Sequence, residues 1–427
     1  MCLDSGQQGR PDPTMTDRRT VLKVASASGA ALMFSSILGA PAVAATPIRR
    51  RAYVIVVDGC RPGEIEQMPN LKALRDAGTW YPGARSLPVM ETIPNHVMMM
   101  TGCRPARNGV PANTIYDRAE KTLRDCSRPT DIKVTTILEQ LNATGRTTGT
   151  VLSKEYLYSV FGERATHRWE PAPVIPISGH APDAATMEAL LAMVGEFDPD
   201  LVFANLGDVD RVGHSDLTGT TLKAARTAAL ASTDTQVGRF VEMLKSSGKW
   251  ASSALIVLAD HSMDWSLPNQ TISLTKVFEA DPTLAGNFTI AQNGGADLVY
   301  WTGPDSGKAA AINKLRSLSL ATAGVFEAHP IATTASLRLG PNAGDLLVWC
   351  KAGWRFSDPG PQSNPIPGNH GHPATYPIPF FLAGGAPQVR KATARSARAQ
   401  TMDVTPTLGA YFGLRAPSTG WEGSSRL

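Results

Sequence analysis

Residues 52–57, 200–205 and 254–258 are dominated by apolar, largely β-branched side chains with no polar alternation. That is the pattern of strands buried on both faces of a parallel sheet. Helical apolar spacing fills the intervals: residues 69–77 with a stop at Gly78, about 131–141, 183–197, and roughly 221–246. A further strand is predicted near 148–151. Strand and helix in alternation predict an α/β fold in three layers around a mostly parallel central sheet. Beyond Ser262 the pattern loosens into a strand at 297–301, a helix around 308–315 and a strand at 345–349. This predicts a cap region inserted at about 265–365 and lying over the site. From Ser357 the chain returns to the core, closing with a strand near 378–382 and a helix over 403–408. No internal repeat or long linker interrupts it, so residues 45–427 read as one elaborated domain.

One stretch departs from this alternation: Glu91-Thr92-Ile93-Pro94-Asn95-His96. Pro94 suits the first turn of a helix, where its missing N–H costs nothing. Val97-Met98-Met99-Met100 then continues as a buried helix. Thr92 is thereby placed in the turn before a helix N-terminus, where unpaired backbone N–H groups favour an anion such as a phosphoryl group. Its hydroxyl is a weak nucleophile until a base or a metal lowers its pKa.

The first 44 residues are set apart by composition. Arg18-Arg19 opens a twin-arginine pattern, an uncharged Ala-rich run follows from Val24 to Ala45, and Ala42-Val43-Ala44 is an A-x-A cleavage signal. Residues 1–44 therefore read as a twin-arginine signal peptide with an upstream extension to Thr14. It would be cleaved before Ala45, after delivery by the twin-arginine machinery to the periplasm or beyond. An uncleaved anchor helix is the alternative, since the run is nearly long enough to span. Its Ala, Gly and Ser content and the A-x-A site favour cleavage, so no stable membrane anchor is expected. A net charge of +4 over 427 residues, with no Lys/Arg block interleaved with aromatics, gives no reason to expect binding to a nucleic-acid duplex. Cys60, Cys103, Cys126 and Cys350 remain after the leader. Disulfides are permitted in an oxidising compartment, but three connectivities stay open, and the absence of a C-x-x-C pair argues against a cysteine zinc site.

Candidate chemistry sits where the strands end: Asp58 after the first run, Asp210 and His214 after the second, Asp260-His261 after the third, and His370 in Gly368-Asn369-His370-Gly371. Mixed carboxylate and imidazole ligands suit Zn2+ or a similar divalent ion. Two such clusters suit a pair of ions ~4 Å apart, which clamp the attacking and leaving oxygens of a phosphoryl transfer. Each piece has a plainer reading: a strand-end Asp as a cap, Asp210 and His214 as a local salt bridge, His370 as a loop histidine. Their recurrence at the C-terminal edge of successive strands favours the joint reading.

With these residues in hand, Val57-Asp58-Gly59, Thr92-Ile93-Pro94-Asn95-His96, Thr101-Gly102, Asp210-x-x-Gly213-His214, Asp260-His261 and Gly368-x-His370-Gly371 resemble the motif series of the alkaline phosphatase superfamily. The nucleotide pyrophosphatase/phosphodiesterase-like branch, with a Thr nucleophile, is the most similar. The resemblance runs from about Tyr53 to Leu414 and includes the tail Asp403-Val404-Thr405-Pro406-Thr407-Leu408. It implies an alkaline-phosphatase-like core and two zinc sites, one held by Asp210, His214 and His370, the other by Asp58, Thr92, Asp260 and His261. Asn113 would hydrogen-bond a non-bridging phosphoryl oxygen beside the Thr92 N–H. His96 is expected to be structural, and His167, His180, His329 and His372 to be ordinary loop histidines.

Two departures stand out. Ser262 follows the Asp-His pair where the family commonly has Gly. Lys154-Glu155-Tyr156 resembles instead the Lys-Asp-Lys segment of phosphonoacetate hydrolases, with Tyr156 at the second Lys. Lys154 reads either as a surface lysine or as a phosphoryl contact favouring a dianionic substrate end. The resemblance implies an exported hydrolase of small-molecule phosphate esters, working through a covalent phospho-threonine and two divalent metal ions. The alternatives are a phosphonoacetate-hydrolase-like cleavage of carbon–phosphorus bonds, a phosphomonoesterase, and a non-catalytic metal- or phosphate-binding protein. A sulfatase is disfavoured by Thr92, since that branch uses Cys or Ser.

Overall fold

The structure is a computed structural model that describes residues 49–172, 179–215, 221–359 and 366–427. The leader and its cleavage site lie outside these residues. In chain order the strands that concern the site are β1 (Arg51–Val57), β2 (Thr79–Trp80), β3 (Thr148–Leu152), β4 (His167–Trp169), β5 (Leu201–Leu206) and β6 (Ser253–Leu258), then β7 (Phe288–Asn293), β8 (Ala296–Trp301), β9 (Val325–Pro330) and β10 (Leu346–Cys350), and finally β11 (Phe380–Ala383) and β12 (Thr393–Ala394). The central sheet has the order β12-β2-β11-β6-β1-β5-β3-β4. Within it β6, β1, β5, β3 and β4 run parallel, while β11 returns antiparallel between β6 and β2.

The apolar runs explain the order. β1 is buried along Ala52–Val57, and so are β5 and β6 on either side of it, because helices cover both faces. Those helices are α1 (Pro69–Ala77), α2 (Thr92–Thr101), α3 (Ile137–Asn142), α4 (Glu155–Phe161), α5 (Asp183–Glu196), α6 (Asp208–His214), α7 (Thr221–Ser246) and α9 (Val404–Phe412), while α8 (Lys308–Ala321) packs on a second sheet. α1, α5 and α6 pack on α7, and α3, α4 and α9 pack on α2. Two helix layers with a sheet between them make the alkaline-phosphatase-like α/β core. The register pairs Val57 with Leu206 and Val56 with Leu258, so β1, β5 and β6 end at one level. In open α/β sheets that edge is where ligands bind.

The region expected as an insertion holds a four-stranded antiparallel sheet, order β7-β8-β10-β9. One face buries Val299, Trp301, Leu346 and Val348 with Leu315 of α8, and the other face adds Leu298, Tyr300, Leu347 and Trp349 to the main core. Elsewhere the predicted elements shift. The helix expected at 131–141 is a 3-10 turn at Pro129–Asp131 followed by α3. It restarts because Thr136 and Glu139 form a reciprocal capping pair, Thr136 N donating to Glu139 Oε2 and Glu139 N to Thr136 Oγ1. The four cysteines are buried and unpaired. Among the described residues no helix is long and apolar enough to cross a membrane.

Candidate active site

Four adjacent parallel strands supply the site. β6 leads to Asp260 and His261, β1 to Asp58, β5 to α6 with Asp210 and His214, and β3 to Lys154. Asp210 and His214 are four apart on one face of α6, with His214 Nε2 3.4 Å from Asp210 Oδ1. His370 follows a two-residue strand, Gly368–Asn369, paired with Asp264–Trp265.

Thr92 is the first residue of α2, so the helix begins earlier than Pro94 alone suggested. Every residue of α2 is buried, and Gly102 ends it in the left-handed conformation at φ 66°. Ile93 N donates to Asn113 Oδ1 at 2.8 Å, and Asn113 N donates to Glu91 Oε2 at 2.7 Å. The Asn113 amide is thereby fixed with Nδ2 free of partners among the described residues. Burial pushes the Glu91 carboxyl up to about 8. The Thr92 hydroxyl lies 3.3 Å from His261 Nε2 and 3.5 Å from Lys154 Nζ.

The ring nitrogens of the three candidate histidines are sorted by their backbone contacts. Nδ1 of His214 faces Gly368 O at 2.9 Å, Nδ1 of His261 faces Ser262 O at 3.0 Å, and Nδ1 of His370 faces Met90 O at 3.1 Å. A carbonyl only accepts, which assigns the proton to each Nδ1 and leaves each Nε2 with a lone pair turned inward. Two of these lone pairs, on His214 and His370, face each other across 3.2 Å. Two neutral acceptors at that distance repel unless a proton or a metal cation lies between them. Two nitrogens bound tetrahedrally at ~2.05 Å to zinc sit about 3.3 Å apart.

The carboxylates carry the same message. Asp58, Asp210 and Asp260 are buried together, and Asp58 Oδ1, Asp210 Oδ1 and Asp260 Oδ2 have no hydrogen-bond partner. Lys154 is the ammonium among them, 2.9 Å from Asp58 Oδ2 and 2.7 Å from Asp210 Oδ2. It is buried, which removes the reading of Lys154 as a surface lysine. Burial pulls the Lys154 ammonium down, but Asp210 and Asp58 outweigh it and hold its pKa well above the usual range. Burial and the neighbouring Asp260 push Asp58 well up. Burial also acts on Asp210, yet Lys154 and His214 overcome it and hold that carboxyl well below its usual range. Three carboxylates against one ammonium, with three orphaned oxygens and three inward-facing imidazole nitrogens, form a donor set short of positive charge. The groups Asp210, His214, His370 and Asp58, Asp210, His261 each bring ligand atoms within 4.8 Å of one another.

Asp58, His96 and Asp260 form a third such group, but both His96 nitrogens are engaged. Nδ1 faces Thr92 O at 2.8 Å and Nε2 meets Asn205 Nδ2 at 3.0 Å. Asn205, at the end of β5, also donates to Asp58 Oδ2 at 2.9 Å and accepts from Ser153 Oγ at 2.6 Å. Asn205 was missed in the sequence, where its one signal is a polar residue interrupting an apolar run. Arg226 was missed as well. It pairs with Glu64 and donates to Gly59 O and Val209 O, the residues next to Asp58 and Asp210. His180 and His372, expected as ordinary loop histidines, are fully buried, beside Asp208 and Asp264 respectively. A cavity of about 250 Å3 opens above Thr92, lined among others by Asn113, Tyr156, His214, Gln292 and His370.

The family model of type I phosphodiesterase / nucleotide pyrophosphatase matches residues 52–372. The chain belongs to that family. It is 26% identical over 243 residues to the venom phosphodiesterase of Macrovipera lebetinus, a match covering 52% of this chain and 27% of that one. The chain thus spans about a quarter of the length of that relative. Murine ectonucleotide pyrophosphatase / phosphodiesterase 5, solved as an inactive form in complex with AMP, superposes with a TM-score of 0.71 at 16% identity, over 87% of this chain and 97% of that one. The phosphonoacetate hydrolase of Sinorhizobium meliloti 1021, solved with phosphonoformate, gives a TM-score of 0.65 at 17% identity, over 84% and 94%. These likenesses show that the chain shares the fold of those two proteins over more than four-fifths of its length.

Proposed function

We propose that this protein is a metal-dependent hydrolase of small phosphoric esters in which Thr92 accepts the phosphoryl group before water does. The observation that carries the reading is the Thr92 hydroxyl at a helix N-terminus, among three inward Nε2 lone pairs and three orphaned carboxylate oxygens. Asp210, His214 and His370 would hold one divalent ion, and Asp58, Thr92, Asp260 and His261 the other. The imidazole and carboxylate donor set suits Zn2+. When bound, such ions supply Lewis-acid stabilisation of the attacking and leaving oxygens.

The chain's own residues account for the rest. Thr92 Oγ forms the new bond to phosphorus as the ester oxygen leaves, and the proton lost by Thr92 is matched by the one the departing alcohol takes up. Water then breaks the phospho-threonine bond, restoring the hydroxyl and releasing phosphate from a monoester or the remaining monoester from a diester. Asn113 Nδ2 and the Thr92 N–H at the start of α2 would bind the non-bridging oxygens, where donors fixed in advance lower the barrier most. Asn113 is held ready by Ile93 N and Glu91. Lys154 sets its ammonium beside Thr92 Oγ, next to where an anionic phosphoryl end would lie. Asn205 and His96 brace Asp58 and the Thr92 carbonyl, and residues 292–294 of the cap stand over the cavity. A binding protein that has lost the chemistry would lack one of these groups, and all are present. The twin-arginine leader read from residues 1–44 would export the folded enzyme.

Elemental analysis of active protein tests the reading, with two divalent ions per chain expected. Chelation, or Asp260→Ala, should abolish turnover of an aryl phosphate ester. Active protein without metal, or full activity in Asp260→Ala, would overturn it.

A further inference from the structure

The cavity above Thr92 has a second side, away from the phosphoryl group, formed by the turn between β7 and β8 and by the loop before His370. Gln292, Asn293, Gly294 and Asn369 line it. The Asn293 amide is fully used, accepting from Thr114 N at 2.8 Å and donating to Thr114 O and Ala291 O. Asn369 Nδ2 donates to Trp354 O at 2.9 Å. Gln292 differs: its Nε2 is buried without a partner, and no side-chain hydrogen bond engages its amide among the described residues. Nε2 is closed off from solvent, so the edge of the amide open to the cavity is Oε1, which can accept from a donor on a bound group.

The chemistry of that group is bounded by what surrounds it. At about 250 Å3 the cavity falls below the range of roughly 300–1,000 Å3 typical of larger ligands. Among the described residues no Lys or Arg lines it, so a substrate carboxylate would meet no counter-charge from them. Tyr156 is the one non-histidine aromatic among the described lining residues, which leaves no pair of rings to clamp a nucleobase.

We propose that the alcohol half of the substrate is a small, uncharged, hydroxylated group of the polyol kind, and that Gln292 selects it. A substrate hydroxyl donates to the open Oε1 edge, which an alkyl group in its place would leave unpaired. This rests on the hydrolase reading above and names the substrate class for the same site.

The test compares glycerol phosphate with n-propyl phosphate, each as the monoester and as its methyl diester, on zinc-loaded wild type and Gln292→Met. In the ester type that turns over, kcat/KM should favour the glycerol compound by about tenfold, the effect of one hydrogen bond. Gln292→Met should bring the ratio close to one. The ratio is internal to each preparation, so a partly folded variant still reports it. A ratio near one in wild type, or one that Gln292→Met leaves unchanged, would overturn the assignment. Preference for phosphonoacetate or for a nucleotide over both would overturn it too. Turnover of none of the four compounds would instead overturn the hydrolase reading itself.

Discussion

Lys154→Met separates the two kinds of positive charge this site can use. In the metal-free protein the ammonium holds Asp58 Oδ2 at 2.9 Å and Asp210 Oδ2 at 2.7 Å, all of it buried. At an effective dielectric of ~20, each contact is worth about 6 kcal/mol before desolvation is charged against it. Removing one partner of a buried pair costs a net of about 3–5 kcal/mol, because the remaining charges are left uncompensated. Methionine keeps most of the stem volume, so the loss is electrostatic. At ~2 °C per kcal/mol for a chain of this size, thermal melts of chelated protein should fall by roughly 6–10 °C. With zinc saturating, cations neutralise the same carboxylates, and the gap between wild type and variant should shrink by half or more. Turnover gives an independent reading. The variant should lose more kcat/KM on a dianionic monoester than on the matching monoanionic diester, since the ammonium lies 3.5 Å from Thr92 Oγ. Equal melting losses with and without zinc would refute the view that Lys154 and the metals answer to the same carboxylates.

Two further expectations concern Glu91 and the leader. In chelated protein the buried Glu91 carboxyl titrates near 8, above its ordinary ~4.3. The folded state therefore keeps a proton that the unfolded chain has released, and stability should fall as pH rises between ~4.3 and 8 and then level off. Glu91→Gln should flatten that slope in thermal melts, and parallel slopes for the two proteins would contradict it. For the leader, Arg18→Lys combined with Arg19→Lys should strand the protein in the cytoplasm in a fractionation assay, and normal export of the double variant would show that the arginines do not direct it.

How far the sequence carried the reading follows from the physics of each element. β1, β5 and β6 were legible because burial on both faces forces continuous apolar runs, and the residues that end such runs must then lie at one edge of the sheet. Asp210 and His214 posed an apparent choice between salt bridge and ligand pair. Their place on α6 makes the two readings compatible, since residues four apart on a helix touch each other and lie on one face. Strands β7 and β9 of the four-stranded sheet were not legible, because β7 (FTIAQN) and β9 (VFEAHP) mix polar and apolar residues without a clean period. Gln292 could not be found for a related reason: 200 positions separate it from Thr92, and only the antiparallel register of that sheet brings it to the cavity. Lys154, His180 and His372 each follow or precede a loop, where sequence offers no burial signal. Their burial comes from the neighbouring strands, and for Lys154 from the carboxylates that β1 and β5 deliver.

The central claim is that Thr92 itself becomes phosphorylated. The direct measurement is acid quench of zinc-loaded enzyme during turnover, followed by mass spectrometry of the peptide containing Thr92, with Thr92→Ser, Asn113→Ala and Thr92→Ala alongside. Phosphorylated Thr92 should appear in the wild type. Turnover should be largely kept in Thr92→Ser, fall about 100-fold in Asn113→Ala as one donor to the developing charge is lost, and fall by several orders of magnitude in Thr92→Ala. An unmodified peptide together with a Thr92→Ala enzyme turning over near the wild-type rate would mean that water attacks phosphorus directly, and the covalent mechanism would be wrong.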